Sequence, residues 1–236
     1  MNTTAERIAE LDFAALGAAL DDHGYARMPR LLNADQCVAL RDDFERDELY
    51  RSTIDMARYN FGRGRYRYFS NPLPPLIATL RGTLYPGLAE IANRWQLALG
   101  IDKHFPATHA EYLEYCCAAG QQRPTPLLLR YGPGDFNCLH QDVYGEELFP
   151  LQVAVLLSMP GKDFDGGEFV VTEQRPRMQS RVEVVPLCQG DAVVFPVAQR
   201  PQRGARGFYR VNMRHGVSRL HEGERTTLGI IFHDAT

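Results

Sequence analysis

The sequence predicts an α+β fold in which helices pack on a jelly-roll sheet, and three observations carry that expectation. Through the first half of the chain, apolar residues recur at spacings of three and four, the period of helices with one buried face. After Pro124 the texture changes to about eight short segments rich in β-branched and aromatic residues, separated by Gly, Pro and Asp clusters. No repeat, low-complexity tract or long linker parts the two halves. Residues 1–123 are therefore expected to form a mainly helical part packed on a core at 124–236, the two making one compact unit. With 236 residues, 44% of them hydrophobic, the chain can bury a substantial core, and intrinsic disorder is excluded.

Taken in order, Ala5 to Leu20 reads as one helix with Ile8, Leu11, Ala15, Ala18 and Ala19 near one face, ended by Gly24. Tyr25 to Met28 is a short strand. Asn33 and Gln36 fit a capping box, opening a helix that carries Cys37, Leu40, Phe44 and Leu49. Arg51 to Ser70 reads as extended or looped. Pro74-Pro75 begins helical structure that runs to Leu99 with an interruption near Pro86-Gly87, and His109 to Ala119 is a last short helix closed by Gly120. The strand candidates are 126–131, 137–143, 149–158, 167–172, 181–186, 191–197, 207–215 and 225–233.

The net charge of −3 conceals an uneven distribution. The first fifty residues hold eleven acids and five arginines, whereas Met56 to Ala89 has no acid and five arginines, and Ala192 to His221 no acid and six. The arginine-rich stretches 58–67 and 200–219 are candidate anion-binding surfaces; the plain alternative is solvated arginine in a chain with only two lysines. A membrane span is excluded, because the longest aliphatic run, Val153 to Leu157, falls far short of the ~20 residues a spanning helix needs. The N-terminus lacks the basic start and apolar stretch of a secretory signal, so cytoplasmic residence is expected. Five cysteines without a C-x-x-C pair argue against a zinc ribbon or a disulfide framework.

Chemistry concentrates in the β-rich half. His140 and Asp142 flank Gln141 in a strand candidate, where alternation puts both on one face. Alone such a pair is a poor signal, and a hydrogen-bonded strand end is the commoner explanation. His215 closes a later strand candidate and Arg225 opens the last one, ten residues on. Two imidazoles and one carboxylate are the facial donor set suited to Fe(II), with open positions for co-substrate and dioxygen. Arg225 offers a planar fork for a carboxylate, and Thr227, two residues along the same face, a hydroxyl.

Four stretches together resemble a known family: L-L-R-Y-G-P-G-D-F-N-C-L-H-Q-D (128–142), D-G-G-E-F-V-V (165–171), G-D-A-V-V-F-P (190–196) and R-H-G-V-S-R-L-H-E-G-E-R-T-T-L-G-I-I-F (214–232). They resemble the 2-oxoglutarate- and Fe(II)-dependent dioxygenases, in their prolyl-hydroxylase-like and nucleic-acid-demethylase-like branches, over about the last 110 residues. The resemblance implies a double-stranded β-helix core, with His140, Asp142 and His215 as iron ligands. It makes Arg225 the anchor for the distal carboxylate of 2-oxoglutarate and Thr227 its helper, with Tyr131 either a further co-substrate contact or an aromatic of the barrel core. It also implies O2 as oxidant, ascorbate as an auxiliary reductant, and hydroxylation of an unactivated C–H bond coupled to formation of succinate and carbon dioxide. On an N-methyl group such hydroxylation collapses to formaldehyde.

The remaining histidines are weaker ligand candidates. His221 lies in a polar turn, His233 near the C-terminus, His104 and His109 straddle Pro106, and His23 ends a helix. Cys116-Cys117 reads as helix packing and Asp165-Gly-Gly-Glu168 as a tight turn. A cupin-like isomerase or ligand sensor would suit the jelly-roll but does not require Arg225, and a non-catalytic binding module does not require the triad. For substrate, the arginine stretches and the aromatics Tyr66, Tyr68 and Phe69 favour methylated nucleic acid. The prolyl-hydroxylase likeness of 165–171 and 214–225 favours a protein side chain, with a small molecule as the third option.

Overall fold

Asp12 divides what the sequence reads as one N-terminal helix. Its carboxylate accepts from the Ala15 amide at 2.9 Å, so α1 (Thr4–Ala9) ends and α2 (Phe13–His23) begins under a new cap. The computed structural model describes residues 3–236. After α2 come β1 (Ala26–Met28) and α3 (Ala34–Asp42), opened by the expected Asn33/Gln36 capping box. The helix ends earlier than its apolar pattern suggests: Phe44 and Leu49 fall on two single turns of 3-10 helix. The arginine-rich stretch then folds as β2 (Tyr50–Asp55), a further 3-10 turn (Met56–Tyr59), β3 (Gly62–Arg63) and β4 (Arg65–Phe69).

The long helix α4 (Pro75–Ala98) is continuous, where an interruption near Pro86-Gly87 was expected. Its Leu80, Leu84, Leu88, Ile91 and Trp95 are buried on one side, and that packing outweighs the single hydrogen bond Pro86 removes. Gly87 serves contact rather than breakage, since a Cβ there would stand 2.4 Å from the Phe13 ring. The last helix, α5 (His109–Ala118), turns Cys116 inward and Cys117 outward, as expected of adjacent helical positions.

The strands that follow are β5 (Leu127–Tyr131), β6 (Phe136–His140), β7 (Leu151–Leu156), β8 (Phe164–Gly166), β9 (Phe169–Gln174) and β10 (Arg181–Val185). Then come β11 (Ala192–Pro196), β12 (Gln199–Gly204), β13 (Gly207–Val217), β14 (Leu220–Gly223) and β15 (Arg225–Ile230). Every paired strand is antiparallel. One sheet has the order β1-β11-β7-β15-β5-β4-β2 and the other β10-β9-β13-β6-β3, with β12 hairpinned onto β13 and β14 paired with β8. Strands from the first 123 residues thus extend both sheets. No helix among the described residues is long and apolar enough to cross a membrane.

Alternation along the first sheet separates two apolar layers. Leu151, Val153 and Val155 of β7, with Leu228 and Ile230 of β15, join the helices in the larger cluster. Ala154 and Leu156 of β7, Val193 and Phe195 of β11 and Tyr131 of β5 join Phe169 and Val171 of the second sheet in a smaller one. Side chains of Gln152, Arg225 and Thr227 have the parity of this second layer, so the fold itself aims them between the sheets.

Candidate metal and co-substrate site

His140 and His215 are direct cross-strand partners on β6 and β13, which brings their ring centroids to 4.2 Å. Asp142 reaches them by a different route from the one expected. β6 ends at His140, so Asp142 lies beyond the strand, not on its face. Gln141 between them fixes the turn, donating from Nε2 to the Ala198 carbonyl (2.8 Å) and the Met213 carbonyl (2.9 Å). Asp142 then places Oδ1 3.5 Å from His140 Nε2 and Oδ2 3.4 Å from His215 Nε2. Donor atoms of all three lie within 4.8 Å of one another.

Hydrogen bonding orients the imidazoles. His140 Nδ1 is 2.7 Å from the Cys138 carbonyl, which only accepts, so Nδ1 carries a proton and Nε2 is the atom turned toward Asp142. Gln152 Nε2 lies 2.8 Å from Asp142 Oδ2 and 3.2 Å from His215 Nε2. The Asp142 carboxylate and the Gln152 amide thus both face His215 Nε2, while His215 Nδ1 is buried without a hydrogen-bond partner. Burial opposes ionisation of Asp142, but its hydrogen bonds to the two imidazoles hold the carboxyl well below the usual range. Burial also opposes a charged His140, yet the adjacent carboxylate raises its pKa; burial and the neighbouring His140 lower that of His215.

The other predicted residues line the same cavity of about 420 Å³. Arg225 and Tyr131 are paired across β15 and β5, and the Arg225 guanidinium lies 5.8 Å from the Tyr131 ring. Arg225 is 2% exposed, and its Nη1 donates to Thr227 Oγ1 at 2.6 Å, but among the described residues no carboxylate forms an ion pair with it. Burial pushes its pKa down to about 10, so it remains a cation at neutral pH. Arg225 Nε and the Tyr131 hydroxyl are buried without hydrogen-bond partners. Glu168 acts on Arg225 without forming an ion pair, so a buried cation beside idle donors still gains from an anion that completes it.

Sequence reasoning missed Gln141 and Gln152. The signal for Gln152 was present: it is the one polar residue in L-Q-V-A-V-L, a strand buried along its whole length. The remaining histidines stay outside the site. His221 is on β14 beside Asp165, and His233 and His109 are buried at the α5 side, His109 donating to the Phe232 carbonyl at 2.8 Å. Asp165 and Gly166, read from the sequence as part of a tight turn, lie instead on β8, and only Gly167 and Glu168 link it to β9, with Gly166 and Gly167 at positive φ.

The arginine stretches divide. Arg67 is buried on the Tyr50 ring and bonded to Asp47, and Arg200 is fully buried against Glu173, so both are structural. Phe69 is core, whereas Tyr66 and Tyr68 line the cavity. Arg206 in the β12–β13 turn lies nine positions along from His215, roughly 30 Å at the rise of a strand, so that tip is remote from the cavity.

The match to known proteins decides the lineage. Residues 64–235 match the sequence model of Oxygenase-NA, described as an oxygenase catalysing oxidative methylation of damaged DNA. The chain belongs to the Oxygenase-NA family. It is also 48% identical over 167 residues to uncharacterized proteins from two Mycobacterium tuberculosis strains, H37Rv and CDC 1551 / Oshkosh, covering 71% of this chain and 72% of theirs. Solved structures extend the likeness to the fold of the 2-oxoglutarate–Fe(II) oxygenases. A 2OG-Fe(II) oxygenase-family oxidoreductase from Burkholderia pseudomallei superposes with a TM-score of 0.56 at 18% identity, over 96% of this chain and 94% of that one. A Pseudomonas putida prolyl-4-hydroxylase gives 0.53 at 18% identity, over 94% and 100%. A Trichoplax adhaerens prolyl hydroxylase bound to a hypoxia-inducible-factor peptide gives 0.58 at 13%, over 97% and 91%. This Oxygenase-NA chain is thus an oxygenase with the mixed helix and antiparallel-sheet architecture of that fold.

Proposed function

We propose that this chain is an Fe(II)- and 2-oxoglutarate-dependent dioxygenase that oxidises methyl groups on nucleic-acid bases, its two facing sheets forming a double-stranded β-helix (jelly-roll) core. One observation carries the reading: a His-Asp-His cluster and a buried, unpaired Arg225 share one cavity. His140, Asp142 and His215 would hold the iron, and Arg225 with Thr227 the distal carboxylate of 2-oxoglutarate, with the Tyr131 hydroxyl as a further donor. The charges fit. A divalent metal on one carboxylate leaves one positive charge, Arg225 adds a second, and the 2-oxoglutarate dianion cancels both.

When bound, iron, 2-oxoglutarate and O2 supply oxidative decarboxylation to succinate and carbon dioxide with insertion of one oxygen atom into a C–H bond, ascorbate serving as auxiliary reductant. The chain's own residues bind, orient and exclude water. Phe195 packs its ring 4.6 Å from that of His215, and Phe169 closes the same side at 6.1 Å. These apolar walls keep the inner end dry while Tyr66 and Tyr68 line the substrate side.

The description of the family supports a nucleic-acid substrate, and oxygen chemistry fixes the direction. Insertion of oxygen into N–CH3 gives N–CH2OH, which releases formaldehyde and leaves N–H, so the methyl group is lost. The test is turnover with Fe(II), 2-oxoglutarate and a panel of methylated oligonucleotides, proline-containing peptides and free amino acids. The expected result is formaldehyde and succinate from a methylated oligonucleotide. Succinate coupled only to a peptide would overturn the substrate, and no succinate from any member would overturn the enzyme reading.

A further inference from the structure

The segment between β2 and β4 carries two half-exposed aromatic rings. Tyr59 is 55% exposed and Phe61 47%, and their rings stack at 5.8 Å with an interplanar angle of 19°. The segment is tightly held: the Met56 amide donates to the Gly64 carbonyl (3.0 Å), the Phe61 amide to the Met56 carbonyl (3.2 Å), and Met56 itself is buried. It is also tied to the strand bearing the first metal-ligand candidate. Gly62 pairs with Asn137 of β6, and the Cys138 amide donates to the Phe61 carbonyl at 2.8 Å, two residues before His140. Phe61 lines the cavity, as does Val143, which is 58% exposed. A half-exposed aromatic pair is thus fixed beside the cavity, with Phe61 on its lining.

Basic side chains outnumber acids around this pair, Asp55 lying opposite Arg65 across β2 and β4. Arg58, Arg63 and Arg65 are exposed on the same segment. Arg63 faces Asp135 at 3.7 Å, but Arg58 and Arg65 take part in no ion pair among the described residues. Exposed stacked rings beside unpaired arginines are what an unpaired nucleobase and its phosphates require. A duplex presents base edges, while a single strand presents faces. A purely apolar partner would leave the arginines without a role.

We propose that Tyr59 and Phe61 form a stacking platform for a nucleotide of single-stranded DNA next to the one whose base enters the cavity, with Arg58 and Arg65 on the adjoining phosphates. This rests on the nucleic-acid reading above. It adds a strand-form preference and the residues that impose it.

The test is the affinity of the Mn(II)- and 2-oxoglutarate-loaded protein, without oxygen, for a fluorescent unmethylated oligothymidine, by anisotropy. Tyr59→Leu with Phe61→Leu should weaken binding about ten- to a hundred-fold, whereas Tyr59→Phe with Phe61→Tyr should retain it. The side chains are exposed, so an unchanged melting temperature identifies the loss as one of binding. Arg58→Ala with Arg65→Ala should flatten the dependence of affinity on salt. Wild-type affinity in the leucine variant overturns the platform, as does equal or tighter binding of a duplex of the same length. So does a proline-containing peptide whose binding alone responds to the substitutions. Aromatic-dependent DNA binding in a protein that forms no formaldehyde would instead leave the platform standing and sink the demethylation reading.

Discussion

Gln152 donates to Asp142 Oδ2 at 2.8 Å, and the same amide nitrogen lies 3.2 Å from His215 Nε2. One side chain therefore touches two of the three candidate ligands from the opposite sheet. With the His215 lone pair given to a metal, the amide retains Asp142 and holds its second oxygen, which turns Oδ1 toward the other donors. Outer-shell contacts of this kind are worth about ten- to a hundred-fold in metal affinity. Gln152→Leu should raise the Mn(II) dissociation constant by that factor in a calorimetric titration. An unchanged constant would assign Gln152 to packing alone.

Arg225 and Thr227 make a second separable prediction. Loss of a buried charge-assisted contact costs about 3 kcal/mol, or roughly a hundred-fold. Arg225→Ala should weaken 2-oxoglutarate binding by at least that much and leave the metal in place. Arg225→Lys keeps the charge but loses the fork that reaches Thr227, and should fall between wild type and alanine. Loss of metal from these variants would show that the arginine supports the triad rather than the co-substrate.

Much of this site was legible because its chemistry is written in local spacing. His140, Asp142, His215, Arg225 and Thr227 stand in short motifs; strand parity puts Arg225 and Thr227 on one face, whereas Asp142 reaches the histidines from beyond β6. Gln152 escaped because a glutamine in an aliphatic run reads as a flaw in the strand until a partner across the sheets is known. Arg67 and Arg200 misled for the converse reason, since a count of charge says nothing about which way a side chain points. The helical part erred at Asp12 and Pro86, where a cap and tertiary packing outweighed periodicity. Strands β8, β12 and β14 were missed because they are short or rich in Gly, Arg, Gln and Pro.

Two histidines outside the site contribute to the pH dependence of stability on the acid side. Burial pushes the pKa values of His109 and His233 down to about 4. The unfolded chain protonates them near 6.5, so it binds more protons between pH 6.5 and about 4, and stability falls as pH drops through that window. At about 1.4 kcal/mol per pKa unit, each accounts for roughly 3 kcal/mol at the lower end. His109→Gln keeps a donor for the Phe232 carbonyl and should flatten the pH dependence of urea unfolding between pH 6.5 and 4. A slope equal to wild type would show that His109 does not contribute.

Arg81 fastens the C-terminal segment to α4. It is 3% exposed, and donates to Asp234 Oδ1 (2.7 Å), the Ile231 carbonyl (2.8 Å) and the Phe232 carbonyl (3.0 Å). Arg81→Met strands a buried carboxylate and should cost about 3–5 kcal/mol in denaturant unfolding. Adding Asp234→Leu should recover part of that loss. A double variant less stable than the single would mean that the carbonyl contacts, not the ion pair, dominate.

The central claim is that one cavity holds a metal and 2-oxoglutarate together, through His140, Asp142, His215 and Arg225. Its most direct test is anaerobic calorimetry of 2-oxoglutarate binding to the protein with and without Mn(II), in wild type and in Asp142→Ala. The expected result is one equivalent bound by the metal-loaded wild type, with binding strongly weakened by omission of the metal or by the substitution. Affinity that is the same with and without metal, and unchanged in Asp142→Ala, would contradict the account.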